Sequence, residues 1–199
     1  MKLWRYIILL IVAGSVCVAA AGARASAQQK AISEKLIRLH VIANSDSNAD
    51  QKLKLQVRDA VLEYLEGQRW RDRDEAQMWL HKNLPLLEST CAAKLKSLGC
   101  NHSVTAVLEN EIYPTRTYDT FSLPAGEYLS LKIVLGEGEG KNWWCVVYPA
   151  ICVPSTAELT EVAAAAGFSD GEVAFITEDN AGIEVRFKIL ELLNFMKKK

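Results

Sequence analysis

The chain has 199 residues, of which 50% are hydrophobic and 24% charged, with a formal net charge of −1 at pH 7. That length suits one domain behind a short leader, and the near-neutral balance excludes a broad basic surface for nucleic acid. Its three histidines and five cysteines show no Cys-x-x-Cys or His-x-x-x-His spacing, which argues against a zinc site, and no cofactor motif is present.

Lys2 and Arg5 precede an uncharged apolar run from 7 to 21, and Ala23-Arg24-Ala25 supplies a small-x-small pattern before Ser26. This is the layout of a secretory signal peptide over 1–25, with an uncleaved N-terminal anchor in contact with the membrane as the alternative. Without residues 1–25 the chain carries 20 basic and 24 acidic residues, a charge of −4. Residues 26–35 read as a flexible polar lead-in, and 36–199 as the domain.

The branched apolar run 36–43 predicts a strand that places Arg38 and His40 on one face. A turn cluster at 44–48 follows, and Asp46 or Ser47 is placed to cap a helix over 48–66, with Asp50 completing a capping-box-like pair. A second helical stripe runs from 74 to 98. Pro85 interrupts it, predicting a kink or two helices meeting near Asn83. Alternation then predicts strands over 102–113, 127–135 and 142–148. In the first of these Val104, Ala106, Leu108 and Ile112 share the inner face. The loop 136–141 suits a hairpin between the last two. A helix over 156–166, an irregular stretch over 168–182 and an amphipathic helix over 183–197 complete the chain. This order predicts a mixed α/β (α+β) single domain, with a largely antiparallel sheet packed with amphipathic helices.

Few constellations promise chemistry. Asn44, Asp46, Asn48 and Asp50 sit at alternate positions like the start of a calcium loop. Ala49 and Leu55 then occupy the slots that need glycine and a bidentate glutamate. The glycine loop lacks the Gly-Lys-Ser/Thr ending of a phosphate-binding loop. A cysteine nucleophile would need His40, His81 or His102 as its base. Glu109 and Glu111 share one strand face, which reads as solvated. Trp143 and Trp144 point to opposite faces, one to the core and the other to a covering element or a partner. Of the four cysteines after the leader, Cys145 and Cys152 frame a turn at Pro149 and are the favoured disulfide, with buried free thiols as the alternative.

Several phrases in order carry a resemblance. They are 37–47 (Ile-Arg-Leu-His-Val-Ile-Ala-Asn-Ser-Asp-Ser), Gln51 with Leu53-Lys54-Leu55 and Val57-Arg58-Asp59-Ala60-Val61, Pro124-Ala125-Gly126-Glu127-Tyr128, the 136–140 glycine loop, Asn142-Trp143-Trp144-Cys145-Val146 with Pro149 and Cys152, and Arg186-Phe187-Lys188. Over about 34–195 the chain resembles the stage II sporulation protein R family of endospore-forming bacteria. It departs at Ala150-Ile151, where a second proline is expected after Pro149.

The resemblance implies a non-enzymatic signalling protein. It would be made in the forespore and exported into the intermembrane space, staying secreted or membrane-associated. There it would activate a membrane-embedded aspartic protease, stage II sporulation protein GA, which processes the sigma-E precursor. The candidate contact residues are Arg38, His40, Asn44, Asp46 and Trp144. The alternatives are an extracytoplasmic hydrolase of cell wall or peptide, using Cys145 or an acidic pair, and a structural module tethered to the membrane.

Overall fold

The computed structural model describes residues 2–150 and 156–177. Helix α1 (Lys2–Ser33) leads into strand β1 (Ile37–Ile42), followed by helices α2 (Asn48–Leu65) and α3 (Arg73–Ser97). Strand β2 (Val104–Tyr113), the short β3 (Arg116–Thr117) and β4 (Ser122–Leu123), β5 (Gly126–Leu135) and β6 (Asn142–Tyr148) come next, and then helices α4 (Thr156–Ala165) and α5 (Asp170–Thr177).

The main sheet has the order β2-β5-β1-β6. Its β1–β5 pair is parallel, while β1–β6 and β2–β5 are antiparallel. The sheet is therefore mixed, with two of its three pairings antiparallel, inside a single α+β domain. Alternation divides its residues between two apolar layers. Ile37, Leu39 and Val41 of β1, with Leu129, Leu131, Ile133 and Leu135 of β5, pack against Val57 and Val61 of α2 and Leu80, Leu87, Cys91 and Leu95 of α3. Each such fully buried aliphatic side chain contributes about 1.5–3 kcal/mol. The opposite layer gathers Ile32 and Leu36 with Tyr113, Tyr128, Val146, Phe121 and Leu123, and with Leu159, Ala163, Phe168 and Phe175 from the α4–α5 segment.

Several elements differ from the sequence expectation. Residues 26–33, read as part of a polar lead-in, continue α1, and Ile32 near its end is fully buried. About 20 residues suffice to cross hydrocarbon, so a 32-residue helix has turns left over, and these dock on the domain. Pro85 lies inside one helix rather than between two. Ser47 caps α2 by accepting from the Asp50 N–H at 3.1 Å, but the Asp50 carboxylate turns away from the cap. Ile112, expected on the inner face, is exposed. Residues 170–177, read as irregular, form α5, started by a reciprocal box. Ser169 N donates to Glu172 Oε2 at 2.7 Å, and Glu172 N donates to Ser169 Oγ at 3.3 Å.

The largest correction concerns the 136–141 loop. It is not a hairpin, because β1 lies between β5 and β6. The loop instead crosses the end of β1 and is bound to it: Gly140 N donates to Ala43 O at 2.9 Å and Glu139 N to Asn44 O at 3.1 Å. Gly140 is required at this crossing, since a Cβ there would collide with the Ser45 carbonyl oxygen. The expected helix over 183–197 lies outside the described residues.

Candidate functional site

The structure separates the predicted contact residues into two groups. Asn44 and Asp46 form the clamp on the crossing loop. Asn44 Oδ1 accepts from Glu137 N at 3.0 Å, and Asp46 Oδ1 accepts from Lys141 N at 2.7 Å. Behind them the buried Asp50 carboxylate accepts from Ser45 Oγ at 2.6 Å and Asn44 Nδ2 at 2.9 Å, and lies 3.1 Å from His102 Nε2. The Ser45 and Asn44 hydrogen bonds, together with His102, outweigh burial and hold this carboxyl at about 2. These acceptors are occupied by the chain itself.

Arg38, His40 and Trp144 meet on the opposite face of the sheet. The period of two turns Arg38 and His40 away from the α2–α3 layer, and the β1–β6 register sets His40 beside Trp144. Their rings stack at 3.7 Å between centroids. Trp144 also meets Tyr113 edge-on at 4.5 Å. His40 Nδ1 lies 3.1 and 3.2 Å from the two Glu111 oxygens, and its Nε2 lies 2.8 Å from Asn142 Oδ1. Lys132 Nζ bridges Glu111 at 3.1 Å and Glu109 at 3.0 Å. Burial alone would raise the Glu111 carboxyl, but hydrogen bonds from His40, Ser130 and Lys132 hold it at about 2. Glu111 is thus a largely covered ion-pair residue, not part of a solvated face.

Arg38 is fully buried. Its guanidinium lies 4.0 Å from the Tyr113 ring centre and 5.0 Å from that of Tyr128. Nη2 donates to Tyr118 Oη at 2.6 Å, while Nε and Nη1 have no acceptor among the described residues. Burial raises the pKa of Tyr118 against the pull of Arg38 and Arg116. Sequence reasoning missed Tyr118, Arg116, Glu111 and Lys132. Only the alternation of charges along β2 and β5 hinted at the last two, and nothing local links the 116–123 segment to β1.

Trp143 faces the other way, with the Arg58 guanidinium 4.3 Å from its ring centre. An apolar groove of about 900 Å³ lies between the end of α2, the end of β6 and α4, lined by Leu62, Leu65, Trp70, Tyr148, Pro149 and Val162.

Cys145 is disulfide-bonded and therefore offers no thiolate as a nucleophile. Cys91 and Cys100 are free. The expected partner, Cys152, lies outside the described residues. Among the described residues no group of three or more His, Cys, Asp or Glu is placed to hold a metal ion.

The sequence model of the family described as Stage II sporulation protein R matches residues 33–158. That stretch contains the whole sheet, from the last turn of α1 to the start of α4. The Stage II sporulation protein R of Bacillus subtilis (strain 168) is 36% identical over 129 residues, which cover 63% of this chain and 57% of that protein. The chain therefore spans little more than half the length of the curated relative it matches. No solved structure matches the chain.

Proposed function

The chain belongs to the stage II sporulation protein R family, and on that premise we propose that it is an exported signalling ligand of endospore formation. In this reading it activates a membrane-embedded aspartic protease, stage II sporulation protein GA, which processes the sigma-E precursor. The carrying observation is the family match across the whole sheet, placed directly behind an export-type helix.

Trp4–Ser33 is long and apolar enough to cross a membrane. Lys2 and Arg5 at its start hold the N-terminus on the cytosolic side, so the domain emerges on the other side, into the intermembrane space. A ligand activates by binding the active form better than the inactive one. Raising an active population from about 1% to one half takes roughly a hundredfold preference, or about 2.8 kcal/mol. Of the group on this face, Trp144 is the half-buried member, while Arg38 and His40 are buried and engage a partner only if the covering segment shifts. The conformation of the clamp at Asn44 and Asp46 contributes indirectly, by fixing the end of β1.

Co-expression of this chain, the membrane protease and the sigma precursor in a non-sporulating host tests the reading. Precursor cleavage that requires both the chain and its N-terminal helix is expected. Cleavage without the chain, or none with all three present and the chain exported, would refute it.

A further inference from the structure

We propose that Arg38, Arg116 and Tyr118 form a carboxylate-binding site that an acidic side chain of a partner protein completes. The partner's identity as a membrane protease rests on the proposed function, whereas the site itself does not.

The first observation is a buried charge without a counter-charge. Arg38 is fully buried, yet it forms no ion pair among the described residues. Two of its three nitrogens lack any acceptor there. Its ring contacts with Tyr113 and Tyr128 supply no hydrogen-bond acceptor to Nε or Nη1. The acids on the same sheet face are already engaged, Glu111 by His40 and Lys132 and Glu109 by Lys132. An unpaired buried cation is among the costliest groups a fold can carry.

The second observation is that another guanidinium converges on the same place. Arg116 lies 5.4 Å from the Trp144 ring centre, and its buried Nε has no acceptor among the described residues. Both cations act on the phenol oxygen of Tyr118. A neutral hydroxyl thus stands where two positive charges would be matched by an anion. A guanidinium fork presents two N–H donors side by side, which matches the paired oxygens of a carboxylate.

Access lies through the β3–β4 hairpin that carries Arg116 and Tyr118. Its strands have two residues each, closed by Tyr118 N donating to Phe121 O at 2.8 Å and by the Ser122–Thr117 hydroxyl contact at 3.1 Å. Tyr118 is a placeholder in this arrangement. An incoming carboxylate displaces its hydroxyl from Nη2 and pairs with Nη2 and one of the two orphaned donors, and the hairpin moves with Tyr118.

The test uses the full chain in detergent and follows its thermal midpoint at constant ionic strength. The probes are sodium glutarate, an oligo-glutamate peptide, sodium phosphate and sodium chloride. Glutarate and the peptide are expected to raise the midpoint above the chloride value, with the peptide acting at lower concentration if the natural source is a protein side chain. Arg38→Met should weaken this response roughly 10- to 100-fold, the weight of one charge-assisted hydrogen bond. Arg38→Met should also raise the midpoint in chloride alone, because it replaces an unpaired buried charge with an apolar side chain. If Arg38→Met does not fold, Tyr118→Phe decides, since removing the placeholder should lower the half-saturating glutarate concentration. Equal responses to phosphate and glutarate would overturn the carboxylate assignment, and no response beyond chloride would overturn the site. None of these readouts involves the protease, so their failure is separable from failure of the proposed function.

Discussion

Asp50→Ala should destabilise the domain by about 3 kcal/mol at neutral pH. The carboxylate has three partners, Ser45, Asn44 and His102. Hydrogen bonds to an ionised group contribute roughly 1.5–3 kcal/mol each, but the loss is smaller than their sum, because water reaches all three partners once the carboxylate is gone. A loss of that size lowers the melting temperature of a domain this large by roughly 6–12 °C. The pH dependence is more discriminating. The folded-state carboxyl sits at about 2, below its ordinary 3.8, so its contribution is complete above about pH 4 and drains away as pH falls towards 2. The gap between wild type and variant should therefore be widest at pH 7 and narrow below pH 4. Glu111, also held at about 2, is common to both proteins and cancels in the difference. Urea unfolding followed by circular dichroism at pH 7, 4 and 3 measures this gap. A gap under about 0.5 kcal/mol at pH 7, within the range of ordinary surface changes, or one that is constant with pH, would refute the clamp.

Further outcomes follow from other parts of the fold. Gly140→Ala should cost about 1–3 kcal/mol in urea unfolding, because the added methyl collides with the Ser45 carbonyl and forces the crossing loop off β1. Ile32→Ala should cost about 2–5 kcal/mol, since this residue near the end of α1 is fully buried in the domain. An unchanged midpoint would place residues 26–33 outside the folded unit. Within the domain behind α1, alkylation read by mass spectrometry should modify the half-buried Cys100 ahead of Cys91, whose thiol is buried and pushed up to about 12. Cys145 should react only after reduction.

The strands and long helices were legible because each carries its own period. Leu129, Leu131, Ile133 and Leu135 announce a strand without reference to anything distant. What could not be read was decided at long range. A short glycine loop between two alternating segments defaults to a hairpin, and only the Asn44 and Asp46 bonds to 136–141 reveal that β1 intervenes. Glu111 looked solvated because a charge on the alternate face of a strand is usually wet. Its cover comes from elements far away in the chain. The helix α5 is a different case, since Ser169 and Glu172 spell a capping box that was present in the sequence and overlooked. Of the candidate site, the joint placement of Arg38 and His40 followed from periodicity. The guanidinium of Arg116 and the phenol of Tyr118, 80 residues from Arg38 along the chain, did not.

A strand inserted between two consecutive strands imposes an order on events. β5 and β6 are separated by six residues, and hairpins close within about 1–10 μs, so left to themselves these two would zip together and seal the slot that β1 must occupy. A chain diluted from denaturant is open to that competing pairing before β1 is in place. A domain that emerges across a membrane with β1 leading, as in the proposed export, is not. There β1 and the two helices that back it emerge before β5 exists outside, and β5 finds its parallel neighbour waiting. Under the proposed export, the direction of translocation and the direction of assembly coincide in this fold, and refolding yield in bulk is then a poor guide to how readily the protein matures.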